Sequence, residues 1–589
     1  MDFFDFLTML GGLALFLFGM NLLGDGLSQA SGGRLEKILE KLTNNPLKAV
    51  LVGAGVTAVI QSSSATTVMV VGFVNSGIMK LGQAVGIIMG ANIGTTVTSW
   101  ILSLSGIESS SFFVRLLKPS SFSPILAVVG VAIIMFCKDE KKKNVATILV
   151  GFAILMTGMD TMSAAVKPLR DVPEFTSILT RFSNPLLGLL AGLVLTAVIQ
   201  SSSASVGILQ ALCASGAVGY SAAIPIIMGQ NIGTCVTALI SAIGASKNAK
   251  RAALIHLYFN IIGTTVFMVA FYMINALVEL PFMSMQADAW GIAVVHSVFN
   301  VVATIVLLPF SKQLVKLAEL TIPDGEEATE LSQVQSALSI LDSRFLEMPA
   351  YAVEQSRTAA CRMAELAEES INTAMELLTE YDEAKALKVV ELESEIDVFE
   401  DQIGSYLVKV SSKNLSMADS HTTSVILHCI GDFERISDHA RNIKEAAEEM
   451  YVKKLEFSDK AKEELKVFQN AIHDIVKLTM LSFLEEDLEL ASQVEPLEEV
   501  IDRLSLEIKQ RHVKRLRKGK CTIELGFILS DITTNFERIS DHCSNIALCQ
   551  MEVNDDEFDA HAYVSELKQE SNIDFQSKVI AYERRYELP

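Results

Sequence analysis

Two blocks of small polar residues interrupt otherwise apolar sequence: Gln61-Ser62-Ser63-Ser64-Ala65-Thr66-Thr67 and Gln200-Ser201-Ser202-Ser203-Ala204-Ser205. Irregular backbone at membrane depth must be buried in protein or line an aqueous cavity, because lipid satisfies no N–H or C=O group. A helix break at each block would supply chemistry. The free N–H groups opening the following helix, together with the serine hydroxyls, make a nest for an anion. The carbonyls closing the preceding helix can take Na+. Two further segments, Gly90-Ala91-Asn92-Ile93-Gly94-Thr95-Thr96 and Gly229-Gln230-Asn231-Ile232-Gly233-Thr234-Cys235, read as second interruptions, since each glycine weakens a helix by about 1 kcal/mol relative to alanine. Their Asn and Thr oxygens suit a hard cation. The candidate anion and sodium ligands are Gln61, Ser62, Ser63, Ser64, Thr66, Asn92, Thr95, Gln200, Ser201, Ser202, Ser203, Asn231 and Thr234. A single block of this kind is as well explained by close helix packing; two in register argue for a site.

A second chemistry sits in the later half. Glu393/Asp397, Glu434/Asp438, Glu498/Asp502 and Glu537/Asp541 are Glu-x-x-x-Asp pairs, a spacing that stacks both carboxylates on one helix face. Such pairs repel unless a cation lies between them. If the helices of each bundle face one another, four carboxylates converge into an oxygen-rich site for a divalent or ferric metal. The plainer alternative is a solvated acidic face neutralised by Arg435 and Arg538.

The elements that must position these residues fall into two unlike halves. The chain has 589 residues with a formal net charge of −21, yet residues 1–310 hold 17 basic against 13 acidic residues. The front is apolar and nearly neutral, and the back carries the acidity. A bilayer span needs about 20 apolar residues, and 5–27, 82–104, 122–137, 146–165, 222–244, 252–278 and 289–310 approach that length. Segments 47–77 and 186–216 are split by the polar blocks into arms too short to cross singly, so each reads as a re-entrant hairpin. Setting 45–101 against 184–240 needs no gap, and about half the positions are identical. Three full crossings and one hairpin separate equivalent points, which turns the second copy upside down and makes an inverted repeat of the kind found in secondary transporters, about 11–101 and 150–240.

Orientation follows from the short loops. Arg34, Lys37, Lys41, Lys48, Lys80, Lys138, Lys141, Lys142, Lys143, Lys247, Lys250 and Arg251 share one side, which places the N-terminus outside and the acidic half in the cytoplasm. The loop 166–185, with Lys167, Arg170 and Arg181, runs against this rule. So acidic a domain repels nucleic acid and attracts cations. The eight cysteines contain no CxxC pair and read as reduced thiols. No GxxxxGK[ST] loop and no hydrolase spacing appears, so neither a primary pump nor an enzyme is expected. Behind a linker at 311–342, residues 345–380, 382–411, 417–451, 459–486, 488–517 and 523–552 show helical periodicity, giving two three-helix bundles across 343–553 and an acidic tail over 554–589. His256/Asn260 and His296/Asn300 repeat a His-x-x-x-Asn spacing that reads mainly as glue between helices.

The doubled QSSSA and GxNIGT segments resemble the type II sodium/phosphate cotransporters and their bacterial relatives over residues 1–310. The recurrence of Phe433-Glu434-Arg435-Ile436-Ser437-Asp438-His439 as 536–542 resembles the PhoU family of phosphate-signalling proteins. These resemblances imply an all-α chain: a polytopic inner-membrane domain with inverted repeats and re-entrant hairpins, joined to a metal-binding regulatory domain. They imply sodium-driven import of inorganic phosphate, with Na+ and phosphate at the hairpin tips and the lipid bilayer as surroundings. A regulator that has lost transport, or a carrier of another oxyanion, are the alternatives. Oligomeric state stays open, a homodimer included.

Overall fold

The computed structural model describes residues 3–31, 45–104, 119–168, 172, 181–323, 333–552 and 573–589. It divides into two units, Met1–Glu330 and Leu331–Pro589. Among the described residues both units are helical, and no strand forms.

The first unit comprises α1 (Phe3–Ser31), α2 (Pro46–Ile60), α3 (Ser63–Asn75), α4 (Leu81–Ser103), α5 (Pro119–Phe136), α6 (Glu140–Val166), α7 (Pro185–Ile199), α8 (Ser202–Ala214), α9 (Tyr220–Ser241), α10 (Lys247–Val278), α11 (Ala289–Leu307) and α12 (Ser311–Thr321). Among the described residues, six helices are long and apolar enough to cross a bilayer: α1, α4, α6, α9, α10, and α11 continued by α12. The span expected over 122–137 is the shorter apolar helix α5. Basic residues 34, 37, 41 and 170, used above for orientation, lie outside the described residues.

The inverted repeat is visible in how glycines seat the helices. A Cβ on Gly19 would lie 2.3 Å from the Leu155 nitrogen, and one on Gly158 would lie 2.3 Å from that of Phe16. Gly12 meets Met162 and Gly151 meets Leu23 in the same way. As numbers rise along α1 they fall along α6, so the two helices cross antiparallel with bare backbones in contact, each contact matched by its mate in the other repeat. Close approach also sets α2 on α4, where a Cβ on Gly90 would fall 2.1 Å from the Val50 oxygen; its repeat counterpart, Gly229, would fall 1.9 Å from the Leu189 oxygen.

These contacts change one sequence expectation. The GxNIGT segments do not interrupt their helices: α4 and α9 run unbroken through them. Their glycines serve packing, letting the backbones of α2 and α7 come within reach, so two elements are broken rather than four.

Helix α10 and the segment after it reach the corner that follows each broken element. Its start is tied to the α3–α4 corner by Ser246 N–H donating to Asn75 Oδ1 at 2.8 Å. Beyond its far end, Ala287 N–H donates to the Val218 carbonyl at 2.9 Å, at the α8–α9 corner. The two corners therefore lie at opposite ends of a helix of 32 residues.

The expected linker begins differently from its sequence reading. Residues 311–321 form α12, whose Leu314 and Ala318, four apart, are buried in the core shared with α4, α9, α10 and α11. The rest of that linker up to 332 lies largely outside the described residues.

The second unit is the expected pair of three-helix bundles. The first holds α13 (Pro349–Leu377), α14 (Glu383–Ser411) and α15 (Met417–Lys453); the second holds α16 (Asp459–Glu485), α17 (Val494–Arg517) and α18 (Ile523–Glu552). One apolar core runs through both and includes Phe433, Phe468, Phe483 and Phe536. The tail contains α19 (Ile573–Arg585), with Phe575 and Val579 buried in that core.

Adding a methyl group at a closed glycine should be costly where the neighbour is backbone. Gly229→Ala is expected to lose at least 1–3 kcal/mol, about the usual overpacking cost, whereas Gly55→Ala, which meets nothing within 4 Å, should be neutral. Comparing detergent-solubilised yield and unfolding midpoints of the two variants checks this.

Candidate functional site

Each broken element turns through two residues. Gln61 closes α2 in the left-handed region at φ 60, and Gln200 closes α7 at φ 59. The next residue, Ser62 or Ser201, is extended and caps the following helix, its hydroxyl accepting from Ala65 N–H at 3.1 Å or from Ala204 N–H at 3.3 Å. Left-handed backbone is uncommon for a residue with a Cβ and marks a constrained turn. Its recurrence at equivalent positions shows one local design used twice.

The two turns meet. Ser63 Oγ lies 3.4 Å from Ser202 Oγ, its counterpart 139 residues on. Ser64 Oγ is 3.4 Å from the Gln200 carbonyl. These separations are wider than a good O–H···O bond. The N-termini of α3 and α8 thus meet, bringing two positive dipole ends and their first-turn N–H groups to one place. Ser63, Ser202 and Ser203 are buried, and Ser62, Ser64 and Ser201 half-buried.

Helix α4 braces the junction through a residue the sequence reading missed. Thr98 Oγ1 donates to Gln61 Oε1 at 2.9 Å, and Ser203 Oγ reaches Thr98 Oγ1 at 3.4 Å. The available signal was its place one turn beyond Thr95, repeated as Thr237. The two halves differ here: Gln61 is buried, with its amide also donating to the Ala58 carbonyl, whereas Gln200 is exposed and Thr237 donates instead to the Thr234 carbonyl at 2.8 Å.

Three of the remaining candidates bond within their own helices, and Thr66 bonds to the preceding arm. Thr95 Oγ1 bonds to the Ala91 carbonyl at 3.1 Å, Thr234 Oγ1 to the Gln230 carbonyl at 3.0 Å, and Asn231 Nδ2 to the Ile227 carbonyl at 3.1 Å. Asn92 is buried, and its Nδ2 finds no partner within the protein. Thr66 Oγ1 accepts from Thr57 Oγ1 at 3.1 Å. One member of each His/Asn pair bonds to a neighbouring helix: His296 Nδ1 pairs with Ser99 Oγ at 2.8 Å, and Asn260 Nδ2 with Cys235 Sγ at 3.3 Å.

Three of the paired carboxylates come together in the second bundle. Glu498, Asp502 and Asp541 each offer an oxygen within 4.8 Å of the others, while Glu537 is drawn aside by Ser505 Oγ at 3.0 Å and Lys509 Nζ at 3.2 Å. In the first bundle Arg441 holds Glu393 at 2.6 Å. Burial raises the Asp397 carboxyl above its usual value, with Glu393 and Asp438 adding to the shift. Burial likewise raises Glu434, followed by Asp438. Asp541 is raised by burial, against Arg538 and with Glu537. Mutual repulsion of this kind is what a bound cation would relieve.

Comparison with known proteins fits both halves. The pattern of the family described as Na+/Pi-cotransporter matches residues 15–164 and 170–288, and that of the PhoU domain matches 360–447 and 466–549. A protein of Escherichia coli K12 named "Putative inorganic phosphate export protein YjbB" is 24% identical over 566 residues, 94% of this chain and 98% of that one. The YqeW protein of Bacillus subtilis is 30% identical over 313 residues, 53% of this chain and 96% of its own length. The PhoU homolog 1 of Thermotoga maritima, named as a phosphate-specific transport system accessory protein, is 30% identical over 186 residues, 31% of this chain and 79% of that one. With its apolar spanning helices and matched halves, the chain belongs to the Na+/Pi-cotransporter family as a multi-pass membrane protein carrying a C-terminal PhoU domain.

Proposed function

We propose that this chain is a secondary transporter that carries inorganic phosphate together with Na+, inward under an inward sodium gradient. The observation that carries the reading is the meeting of two helix N-termini at Ser63 and Ser202. An oxyanion between them would exchange its water for first-turn N–H groups and for the hydroxyls of Ser62, Ser63, Ser64, Ser201, Ser202 and Ser203, with no fixed positive charge. Gln61, Gln200, Thr66, Asn92, Thr95, Asn231 and Thr234 supply further neutral oxygens and amides near the breaks. The broken elements enter the bilayer as re-entrant hairpins from opposite faces. The differing exposure of Gln61 and Gln200 supports alternating access: one design stands closed in one repeat and open in the other.

The basic loops support an orientation with the N-terminus outside and the PhoU domain in the cytoplasm of an inner membrane. A second reading, net phosphate export, is favoured by the name of the relative that spans both halves. A coupled carrier runs down the sum of its gradients, so the same site serves either direction. Measuring labelled phosphate uptake into proteoliposomes under inward and outward sodium gradients tests the proposal. Uptake indifferent to sodium under both conditions would sink it. Ser63→Ala or Ser202→Ala should weaken phosphate affinity by about tenfold or more, the worth of one hydrogen bond to a charged group.

In the PhoU domain, Glu498, Asp502 and Asp541, with Glu537 after release from Lys509, would hold a divalent or ferric metal; Glu393, Asp397, Glu434 and Asp438 are the sequence counterparts in the first bundle and would have to draw together to hold a second. The donor set is all hard oxygen and fits such an ion. The domain would regulate phosphate flux through the fused carrier. Metal binding requires ionised carboxylates, so protons compete. Because Asp397, Glu434 and Asp541 are raised in pKa, metal should be lost at a higher pH than ordinary carboxylates near 4 would allow. Elemental analysis of the full chain dialysed across that range, beside Asp502→Asn, should show metal falling as the pH falls, and the variant losing the share held by the second bundle.

A further inference from the structure

Apart from its carboxylates, the second unit holds a cavity of about 1040 Å³ where three helix ends meet: the C-termini of α13 and α15 and the first turns of α16. Small-molecule pockets span roughly 300–1,000 Å³, so a molecule the size of a nucleotide fits. Residues 448–465, which supply more than half of the lining, fall between the two stretches that match the PhoU pattern. The cavity therefore belongs to the crossover between the bundles and not to the repeated bundle itself.

Its lining combines three chemistries. Leu377, Phe457 and Leu465 are buried and form an apolar floor. Tyr381 and Tyr451 stack with ring centroids 4.5 Å apart and planes 18° apart. Tyr451 is 63% exposed, so the ring face turned away from Tyr381 is open to a further planar ring. Lys454, Lys462 and Lys466 add positive charge. Lys462 is engaged by Glu456 at 3.2 Å, whereas Lys454 and Lys466 form no ion pair among the described residues; Glu463 is the other acidic residue of the lining. This surplus of positive charge stands in the half of the chain that carries its acidity. Lys454 also closes α15 in the left-handed region at φ 53, where glycine is the favoured residue. What the lysine adds there, and glycine would not, is a charge at the cavity.

An apolar floor, an open aromatic face and unpaired ammonium groups complement a planar ring that carries phosphate. Inorganic phosphate would use the lysines alone, and an acyl chain would leave them unmatched. A nucleic-acid strand would meet the surrounding acidity. We propose that this cavity binds a mononucleotide, its base stacked on Tyr451 and its phosphates held by Lys454 and Lys466. Lysine serves phosphate as a point charge, and stacking on an aromatic ring accepts any base, since each has a π-face.

The test is equilibrium dialysis of the purified full chain, in detergent with EDTA, against radiolabelled ATP. Inorganic phosphate is present throughout to occupy the anion site proposed for the membrane unit, which keeps the outcome independent of the transport reading. ATP should bind saturably. Adenosine and tripolyphosphate, each carrying one part of the ligand, should compete about tenfold or more less well than unlabelled ATP. Tyr451→Leu and Lys466→Gln should each weaken ATP binding by about tenfold, whereas Tyr451→Phe should not. Lys454→Gly places the favoured residue in the left-handed turn, so it keeps the fold if the other changes do not, and it should weaken ATP binding to a similar degree. Absence of saturable ATP binding, tripolyphosphate or adenosine as effective as ATP, or undiminished binding in Lys454→Gly and Tyr451→Leu would overturn the site.

Discussion

Everything in the membrane unit depends on one constraint: a peptide group in an apolar surrounding must be paired. Breaking a helix there exposes carbonyls at one end and N–H groups at the other, and the sequence answers with the same device twice. A left-handed glutamine ends the first arm, and a capping serine begins the second. The cap satisfies one donor; the rest of the first turn remains available. Because the two turns face each other, what would be a defect in either repeat becomes a polar junction shared by both.

That junction can form only if the surrounding backbones approach closely. The glycines of α1 and α6 place those helices in direct backbone contact, and Gly90 and Gly229 do the same for the pairs α2–α4 and α7–α9. In a bilayer, where lipid is as apolar as leucine, such packing carries the association of helices that hydrophobic burial carries in water. The polar residues therefore sit in a frame of small ones, and replacing either class disturbs the other.

The PhoU domain solves a different problem with ordinary means. Its amphipathic helices bury one continuous core of aromatic and aliphatic residues, and Glu393 and Glu498 of the paired carboxylates are buried as well. Burial raises Asp397, Glu434 and Asp541, while Arg441 engages Glu393 and Lys509 engages Glu537.

Sequence alone determined the division into two halves, the repeat at a fixed spacing, the breaks at Gln61 and Gln200, and the two three-helix bundles. Each of these is a local or periodic property: apolar run length, helical spacing, or identity between segments. Tertiary structure decided what those residues touch. The glycines of GxNIGT read as helix breakers from propensity, but close contact with α2 and α7 keeps α4 and α9 whole, since tertiary packing overrides a cost of about 1 kcal/mol per glycine. Residues 311–321 read as linker because a short amphipathic helix carries little signal until its apolar face has a partner. The bracing of Gln61 by Thr98 and the pairing of Thr57 with Thr66 depend on side chains from separate helices. No spacing along the chain encodes such distances; they exist only once the helices are packed.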